Sequence, residues 1–291
     1  MRDQAEQLRA KINSMNDAKQ AKTIAVVSGK GGVGKSNVST NMAIALAKQG
    51  NKVLVFDLDI GMGNIHVLLG LNAPFSISDF IKHHMNLEEI VCSSPYQISY
   101  ISAGNSFSEI MDLDGGTAMR LLDNIERLSL QYDYIIFDMG AGATASSLEI
   151  LIAVDDVFVV TTPEPTAITD AYSMMKYICM KSSETQFYLI CNRAEKEKEG
   201  LITLQRLQLT MEKFLQKQVS ILGVLLEDSI VRKAVAKQTP FYVEFPNSAI
   251  AKKIDMLLQN YSDVVMTSFV KKERFVQKLK SFWSNNRLKV K

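Results

Sequence analysis

The chain lacks several features that would place it in other classes of protein. It has no run of eighteen apolar residues, and its N-terminus is polar and charged, so neither a transmembrane helix nor a cleavable signal peptide is predicted and we expect a cytoplasmic protein. Its three cysteines are far apart and form no CxxC pair, which argues against a disulfide framework or a thiolate metal site. The three histidines also have no partner at metal-ligand spacing.

The composition is that of a large globular domain. The 291 residues are 47% hydrophobic, which is enough to bury a large core. Short apolar segments alternate with helical patterns, and several of these segments are continuously apolar, as in parallel strands covered on both faces. We therefore predict an α/β fold, a three-layer, doubly wound, mostly parallel sheet with helices on both faces. The predicted strands are 24–28, 53–57, 98–101, 134–138, 157–161, 187–191 and 221–225.

Residues 29–36 read Gly-Lys-Gly-Gly-Val-Gly-Lys-Ser and fit the phosphate-binding pattern G-x-x-x-x-G-K-[ST]. In this pattern backbone N–H groups surround phosphate oxygens, the lysine holds the β and γ phosphates, and the serine ligates Mg²⁺. A β-branched run precedes the loop and a helical pattern over 37–49 follows it, so a helix N-terminus adds its dipole to the anion site. The predicted nucleotide-binding residues here are Gly29, Lys30, Gly31, Gly32, Val33, Gly34, Lys35, Ser36 and Asn37.

Polar residues follow three other predicted strands, where a parallel sheet of this kind binds its ligands. Asp57 and Asp59 end one strand and Asp138 ends another. Four apolar residues followed by an aspartate are typical of a carboxylate that holds Mg²⁺ beside a phosphate loop, although Asp138 could also cap the next helix. A third strand leads into Asn192-Arg193, where the amide could read a purine or serve as an ordinary turn residue.

The C-terminal segment is basic and amphipathic. Residues 270–291 contain eight basic residues and one acid, a net charge of +7; the whole chain carries +2, so the remainder carries −5. At 100° per residue the apolar side chains fall on one side of a helix. Such a helix could bind an anionic membrane surface, pack on its own domain, or bind nucleic acid, of which we favour the membrane. The predicted membrane residues are Phe275, Val276, Lys278, Leu279, Phe282 and Trp283.

The phosphate loop with its additional Lys30, the Asp57-Leu58-Asp59 segment and the Asp138-x-Gly-Ala-Gly segment resemble those of the deviant Walker A ATPases of the MinD/ParA group. The likeness covers residues 22–265. It implies an ATPase that uses ATP and Mg²⁺, hydrolyses slowly with stimulation by a partner, and forms a homodimer when ATP is bound.

The resemblance implies roles for the predicted catalytic residues. Lys30 would reach across the dimer to the phosphates of the partner's ATP, and Lys35 would hold phosphates within its own subunit. Asp59 would orient the attacking water. The lysines and Mg²⁺ would then neutralise charge on the transferring phosphoryl group.

Further site residues follow from the same resemblance. Asp57 and Asp138 match carboxylates around Mg²⁺, which Ser36 would also ligate. The backbone at Gly140 would sense the γ-phosphate, and Asn192, with Arg193 beside it, matches an asparagine that contacts adenine. Many relatives have proline where this chain has Gly140, so we expect greater flexibility at this switch.

The first residues carry a second resemblance. Asp3-Gln4-Ala5-x-x-Leu8-Arg9 is similar to the N-terminal element of the FlhG (FleN, YlxH) proteins, MinD-like ATPases that control the number and placement of flagella. In that family the element stimulates FlhF, a GTPase of the signal-recognition-particle type, and the family also contacts flagellar C-ring components. The resemblance points to Gln4, Leu8 and Arg9, although by composition the segment could be a frayed extension. The implied segments are a partner-activating 1–21, an ATPase domain 22–265 and a membrane tail 266–291.

Other functions of this scaffold remain alternatives. A metal-cluster carrier would need bridging cysteines, and the three here are scattered. A cell-division-site ATPase of the MinD type is possible, whereas a ParA-like DNA-positioning ATPase would need a basic surface on a domain whose net charge is negative. We expect a cytoplasmic protein that lies on the inner face of the cell membrane when ATP is bound, and we do not expect nucleic acid as a partner.

Overall fold

The fold is seen in a computed structural model, which describes residues 20–59, 65–102, 104, 115–142, 145–267 and 275–287. An eight-stranded sheet has the strand order β3-β4-β2-β5-β1-β6-β7-β8. The strands are β1 (Lys22–Ser28), β2 (Val53–Leu58), β3 (Cys92–Ser93), β4 (Ile98–Ser102), β5 (Tyr134–Ala141), β6 (Asp156–Thr161), β7 (Gln186–Ala194) and β8 (Ser220–Leu226).

The sheet is parallel except for β3, which pairs antiparallel with β4 at one edge. All seven predicted strands are present. The eighth, β3, was not predicted because a strand of two residues shows no alternation of apolar and polar side chains. Strands added after β1 extend the sheet first on one side of β1 and then on the other. The carboxyl end of β1 is thus a point where the winding reverses, the usual ligand position in such sheets.

Helices join most of the strands. The helix predicted from residue 37 begins two residues earlier, at the end of the glycine loop, and is numbered α1. The helices are α1 (Lys35–Lys48), α2 (Ile65–Leu68), α3 (Ile77–Lys82), α4 (Leu87–Ile90), α5 (Gly115–Ser129), α6 (Ala145–Ala153), α7 (Pro165–Cys179), α8 (Glu197–Leu215), α9 (Ser229–Ala236), α10 (Phe241–Glu244), α11 (Ala249–Thr267) and α12 (Phe275–Arg287).

Two hydrophobic cores cover the two faces of the sheet, which confirms the three-layer prediction. One core includes α1, α9, α10 and α11, and the other includes α5, α6, α7, α8 and α12. Neighbouring strand residues alternate between them, since Val55 and Ile136 lie in the first core and Phe56 and Phe137 in the second. Both faces are covered, and therefore these strands read as continuously apolar in the sequence.

Candidate functional site

The glycine loop follows β1 and is shaped by close backbone contacts. Gly34 has φ 89°, a left-handed conformation that favours glycine, and it begins α1. A Cβ atom on Gly29 would lie 2.2 Å from the backbone carbonyl carbon of Asp170 in α7. A side chain at either position would displace the loop, so its path depends on these two glycines.

Lys35 lies at the centre of the site. Its side chain is buried, and its Nζ lies 2.8 Å from Asp138 Oδ1 and 3.6 Å from Asp59 Oδ2. The same Nζ donates to the hydroxyl of Ser36 at 3.4 Å. The structure thus brings the loop lysine, the loop serine and two of the predicted carboxylates together. Asp138 pairs with the loop lysine, and its position favours the Mg²⁺-site interpretation over a helix cap.

Asp57, Asp59 and Asp138 are three carboxylates that share the positive charge of Lys35. Asp57 lies beside Asp138 in the sheet, and burial together with the Asp138 charge raises the pKa of Asp57 to about 7. Asp57 accepts backbone hydrogen bonds from Ile65 at 3.1 Å and from Asp59 at 3.3 Å. Burial also raises the pKa of Asp59, although Lys35 opposes this shift.

This donor set fits a magnesium ion. Asp138 Oδ2 is buried and has no hydrogen-bond partner among the described residues. Mg²⁺ prefers carboxylate, hydroxyl and phosphate oxygens, and one or two protein carboxylates are enough when phosphates supply the other ligands. Ser36, Asp57 and Asp138 are therefore the side chains that would hold the ion.

The end of β7 contacts the glycine loop from the other side. Asn192 Nδ2 donates to the carbonyl of Val33 at 2.8 Å, and the Arg193 guanidinium donates to the carbonyl of Gly32 at 3.1 Å. Arg193 Nε also donates to Glu227 at 2.9 Å. One N–H of the Asn192 amide is therefore engaged by the loop, and its second N–H and its oxygen remain for a base.

A cavity of about 370 Å³ opens beside this contact, next to Asn37, Asn192 and Arg193. Its far wall is α9, a contribution that the sequence reasoning missed because it considered only strand ends and the loop. The sequence did indicate an apolar face on this helix, because apolar residues of α9 recur at i, i+4 spacing. The α9 residues that line the cavity are Val231, Arg232, Val235 and Ala236.

Lys30, the additional lysine of the loop, is held by its own chain. Its Nζ lies 2.8 Å from Glu164 Oε2 and 3.2 Å from Thr166 Oγ1. The hydrogen bond from Lys30 lowers the pKa of Glu164. Sequence reasoning missed these partners, although Glu164 follows β6 and the strand-end rule applies to it as well.

Gly140 lies near the carboxyl end of β5 and is half-buried. Two residues later the N–H of Gly142 donates to the carbonyl of Ser28 at 2.8 Å, which ties the end of β5 to the start of the glycine loop. The backbone at Gly140 is thus close in sequence to both the Asp138 carboxylate and a loop contact. This position suits the predicted role of sensing a phosphate.

The C-terminal helix α12 packs against its own domain. Phe275, Val276 and Leu279 are buried in the core that α5 and α6 share. The ring of Phe275 lies 5.2 Å from that of Phe137, which in turn lies 5.2 Å from the ring of Phe56. The sequence left three arrangements for this tail, namely membrane binding, which we favoured, packing on its own domain, and nucleic-acid binding. In this structure the tail packs on its own domain.

The polar side of α12 also contacts the domain. Lys280 Nζ lies 3.3 Å from Asp123 and 3.0 Å from Glu126, both on α5. Lys278 is half-buried. The side chains of Phe282 and Trp283, and the predicted partner-activating residues Gln4, Leu8 and Arg9, lie outside the described residues. No helix in the described ranges is both long and apolar enough to cross a membrane.

A doubly wound parallel sheet, a glycine loop after its first strand and a buried lysine paired with a strand-end aspartate together define a P-loop nucleoside triphosphatase. The family model described as "ParA: NUBPL iron-transfer P-loop NTPase" matches residues 19–262. The antiactivator FleN of Pseudomonas aeruginosa is 33% identical over 84% of this chain and 90% of its own. The flagellum site-determining protein YlxH of Helicobacter pylori is 36% identical over 81% of this chain and 80% of its own.

The chain therefore belongs to the ParA/MinD family of P-loop ATPases, in the group that contains FleN and YlxH, and it is an ATPase. Solved structures show the same fold at low identity. The cell division ATPase MinD of Pyrococcus furiosus has a TM-score of 0.66 and 22% identity over 84% of this chain and 99% of its own. MinD in the MinC:MinD complex of Aquifex aeolicus has a TM-score of 0.67 and 22% identity over 87% and 99%. These findings confirm the predicted fold, family and ATPase activity.

Proposed function

We propose that this chain is an ATP-dependent switch that dimerises on ATP, binds the membrane in that state and regulates the number and placement of bacterial flagella. The observation that carries the proposal is an amphipathic, basic helix stored against a ParA/MinD-type ATPase domain, with its apolar residues buried. The relatives support the flagellar part, because one is named an antiactivator and the other a flagellum site-determining protein.

The nucleotide site supplies the chemistry of the switch. Lys35 would exchange its bond to Asp138 for phosphate oxygens, which would free Asp138 and Asp57 to act at the magnesium site. The bound Mg²⁺ would offset negative charge on the phosphates. Asp59 lies at the edge of the site, partly exposed and 3.6 Å from Lys35, where a carboxylate can orient a water molecule.

Dimerisation requires Lys30 to leave its own chain. Its ion pair with Glu164 joins two exposed side chains, and such pairs contribute little to stability because water and salt screen them. Lys30 can therefore exchange Glu164 for the phosphates of a partner's ATP at low cost. In this proposal the surface pair holds Lys30 in the monomer and the nucleotide takes it in the dimer.

Membrane binding requires α12 to leave the domain. Phe275, Val276 and Leu279 would move from the core into the headgroup and acyl boundary, while the cations of the tail would meet anionic lipids. A single basic helix binds weakly, whereas two helices on one dimer bind together with a much higher apparent affinity. Membrane residence then follows the ATP-bound dimer, and the monomer remains cytoplasmic.

The N-terminal element and the flagellar C-ring would connect the switch to its output. The resemblance of residues 3–9 to the FlhG element supports activation of an SRP-type GTPase by Gln4, Leu8 and Arg9. The FleN and YlxH relatives support a flagellar target. An alternative is a MinD-like role at the division site, since the septum site-determining MinD of Helicobacter pylori is 29% identical over 75% of this chain.

Metal-cluster transfer, the activity in the matching family model's description, is a weaker candidate. Its chemistry needs cysteines that meet at one surface. Here Cys92 is on β3, Cys179 ends α7 and Cys191 is buried in β7, and burial raises the pKa of each of the three thiols. Neither their positions nor their raised pKa values favour a shared thiolate site.

The dimer and membrane steps can be tested with Asp59→Ala. We expect this variant to bind ATP like the wild type, to hydrolyse it at least tenfold more slowly, and to accumulate as a dimer that sediments with vesicles containing anionic lipid. Size measurements and co-sedimentation with ATP and with ADP would show this. Lys30→Ala is the matched control, because it should bind ATP and remain a monomer. A monomeric Asp59→Ala protein with wild-type turnover would refute the assignment.

The partner step needs a separate experiment. The full chain should bind an FlhF-type GTPase and raise its GTP turnover, and Gln4→Ala should abolish the stimulation while leaving the chain's own ATPase unchanged. A GTPase assay with both proteins measures this. If the wild type neither binds nor stimulates, the flagellar output is wrong and the MinD-like positioning alternative gains support.

A further inference from the structure

The end of β7 departs from regular strand geometry. Arg193 has φ 59°, a left-handed conformation that costs a non-glycine residue on the order of 1 kcal/mol or more. The pairing of β7 with β8 shifts register between Cys191 and Ala194, around the same residue. In a regular strand, consecutive side chains point to opposite faces. Here the irregularity lets Asn192 and Arg193 both reach the glycine loop.

The two side chains bind consecutive carbonyls of the loop, those of Val33 and Gly32. In a planar trans peptide the C=O of one residue and the N–H of the next point in opposite directions. Fixing the carbonyls of Gly32 and Val33 toward β7 therefore fixes the N–H groups of Val33 and Gly34 away from β7. Backbone N–H groups are what a phosphate loop offers to its anion.

We propose that Arg193 is a positioning residue, which together with Asn192 braces the glycine loop in the conformation that receives phosphate. This role is distinct from contact with the base, which the sequence suggested for this strand end. It concerns nucleotide affinity itself and so goes beyond the proposed switch, whose dimer, membrane and flagellar steps are not needed for it.

The geometry explains why the residue is arginine. The guanidinium donates through one nitrogen to the Gly32 carbonyl and through another to Glu227, so it spans two groups with fixed geometry. Glu227 is itself anchored, because its N–H donates to the carbonyl of Ala194 at 2.9 Å. The brace thus ties the loop to the ends of both β7 and β8. A lysine has one charged nitrogen and lacks the rigid fork.

The test measures loop order and ADP affinity together in the full-length protein. ADP is used because the proposal does not depend on dimerisation or hydrolysis. We expect Arg193→Gln to weaken ADP binding about tenfold, as for loss of a hydrogen bond to a charged donor. Hydrogen exchange of the peptide covering residues 29–36 should be faster in the nucleotide-free variant, while exchange in the sheet core stays unchanged.

Two further variants separate the brace from other roles. Arg206→Gln removes an exposed cation on α8 that does not line the cavity, and it should change neither ADP affinity nor loop exchange. Arg193→Lys keeps the charge and should behave like Arg193→Gln. Loss of ADP affinity without faster loop exchange would assign Arg193 to direct ligand contact and overturn the proposal. So would equal losses in Arg193→Gln and Arg206→Gln, wild-type ADP affinity in Arg193→Lys, or unchanged ADP affinity in Arg193→Gln.

Discussion

Where β2 and β5 lie side by side, one face of the sheet is polar and the other face is apolar. On one face Asp57 lies beside Asp138, which pairs with Lys35, and on the other Phe56 and Phe137 form the surface on which Phe275 of the C-terminal helix packs. Phe56 directly precedes Asp57 in the sequence, and Phe137 directly precedes Asp138. A strand alternates its side chains, so a single register places a polar ion site in front of the sheet and an apolar helix site behind it.

The difference teaches how each site is specified. The polar face is built from short segments whose residue types alone indicate phosphate and metal binding. These segments are a glycine loop with a lysine and aspartates near the ends of strands. The apolar face depends on a contact between residues 137 and 275, which are far apart in the chain. Changes on the polar face should therefore affect ligands, and changes on the apolar face should affect where the tail lies.

The largest effect on this comparison is expected from Lys35→Ala. Removing the charge that meets the phosphates should lower ATP affinity by about a hundredfold or more. The apolar face should remain intact, so the amides of α12 should keep their protection from hydrogen exchange. Calorimetry with ATP and exchange of residues 275–281 check the two halves. Lys48→Ala, at the far end of α1, should change neither; release of α12 in Lys35→Ala would show that the faces are not separable in this way.

A smaller effect is expected from Asp57→Asn in the nucleotide-free protein. The pKa of Asp57 is raised to about 7, so the folded state holds a proton that the unfolded state releases near pH 3.8. The stability from this proton is complete below pH 3.8 and is lost as the pH rises through about 7. The variant never carries the buried charge and should be more stable than the wild type by about 2 to 4 kcal/mol at pH 8.

Urea unfolding across pH measures this difference, which should shrink steadily as the pH is lowered toward 4. Asp263→Asn is a suitable control, since Asp263 is an exposed carboxylate on α11, away from the site. Wild-type stability that rises between pH 6 and pH 8 relative to Asp57→Asn would contradict the raised pKa. The same variant should lose Mg²⁺-dependent ATP binding. The Asp57 carboxylate would then lower the folding stability of the nucleotide-free protein and yet be required for binding the ligand.

The smallest effect concerns the apolar face. Neutralising the partners of Lys280 with Asp123→Asn and Glu126→Gln should loosen α12 by less than about 1 kcal/mol for each exposed pair. Binding to anionic vesicles without ATP should then rise by a few fold, and high salt should reduce the difference from the wild type. Vesicle co-sedimentation measures it. Asp263→Asn again serves as the control, and a decrease in vesicle binding would mean that these acids do not hold the tail.

Much of the polar face was predictable. The strand segments, the glycine loop, Lys35 and Asp138 each rest on local patterns, and the structure brings them together. The partners of Lys30 and the cavity wall formed by α9 were not predicted, since they depend on which helix follows which strand in space. Asn192 was predicted to follow its strand, whereas β7 continues to Ala194, and its bond to the loop carbonyl accompanies a register shift that no sequence pattern predicts.

The apolar face was only half predictable. The amphipathic character of residues 275–283 is readable from the sequence, but a membrane and a protein core accept the same apolar side chains. The choice between them depends on the groove between α5 and α6, whose shape is a property of the folded chain. Lys280 shows this ambiguity, because its charge suits both an anionic lipid and the acids of α5.

The burial of Phe275, Val276 and Leu279 makes the tail helix a removable part of the hydrophobic core. A protein truncated before Phe275 would expose Phe137 and its neighbours as an uncovered apolar patch, which favours aggregation and nonspecific adhesion to any surface offered. Truncation is thus an unsafe way to silence the tail in a cell or on a chromatography column. Substitutions that leave the helix packed on the domain are therefore a better way to remove the function of the tail in a genetic experiment.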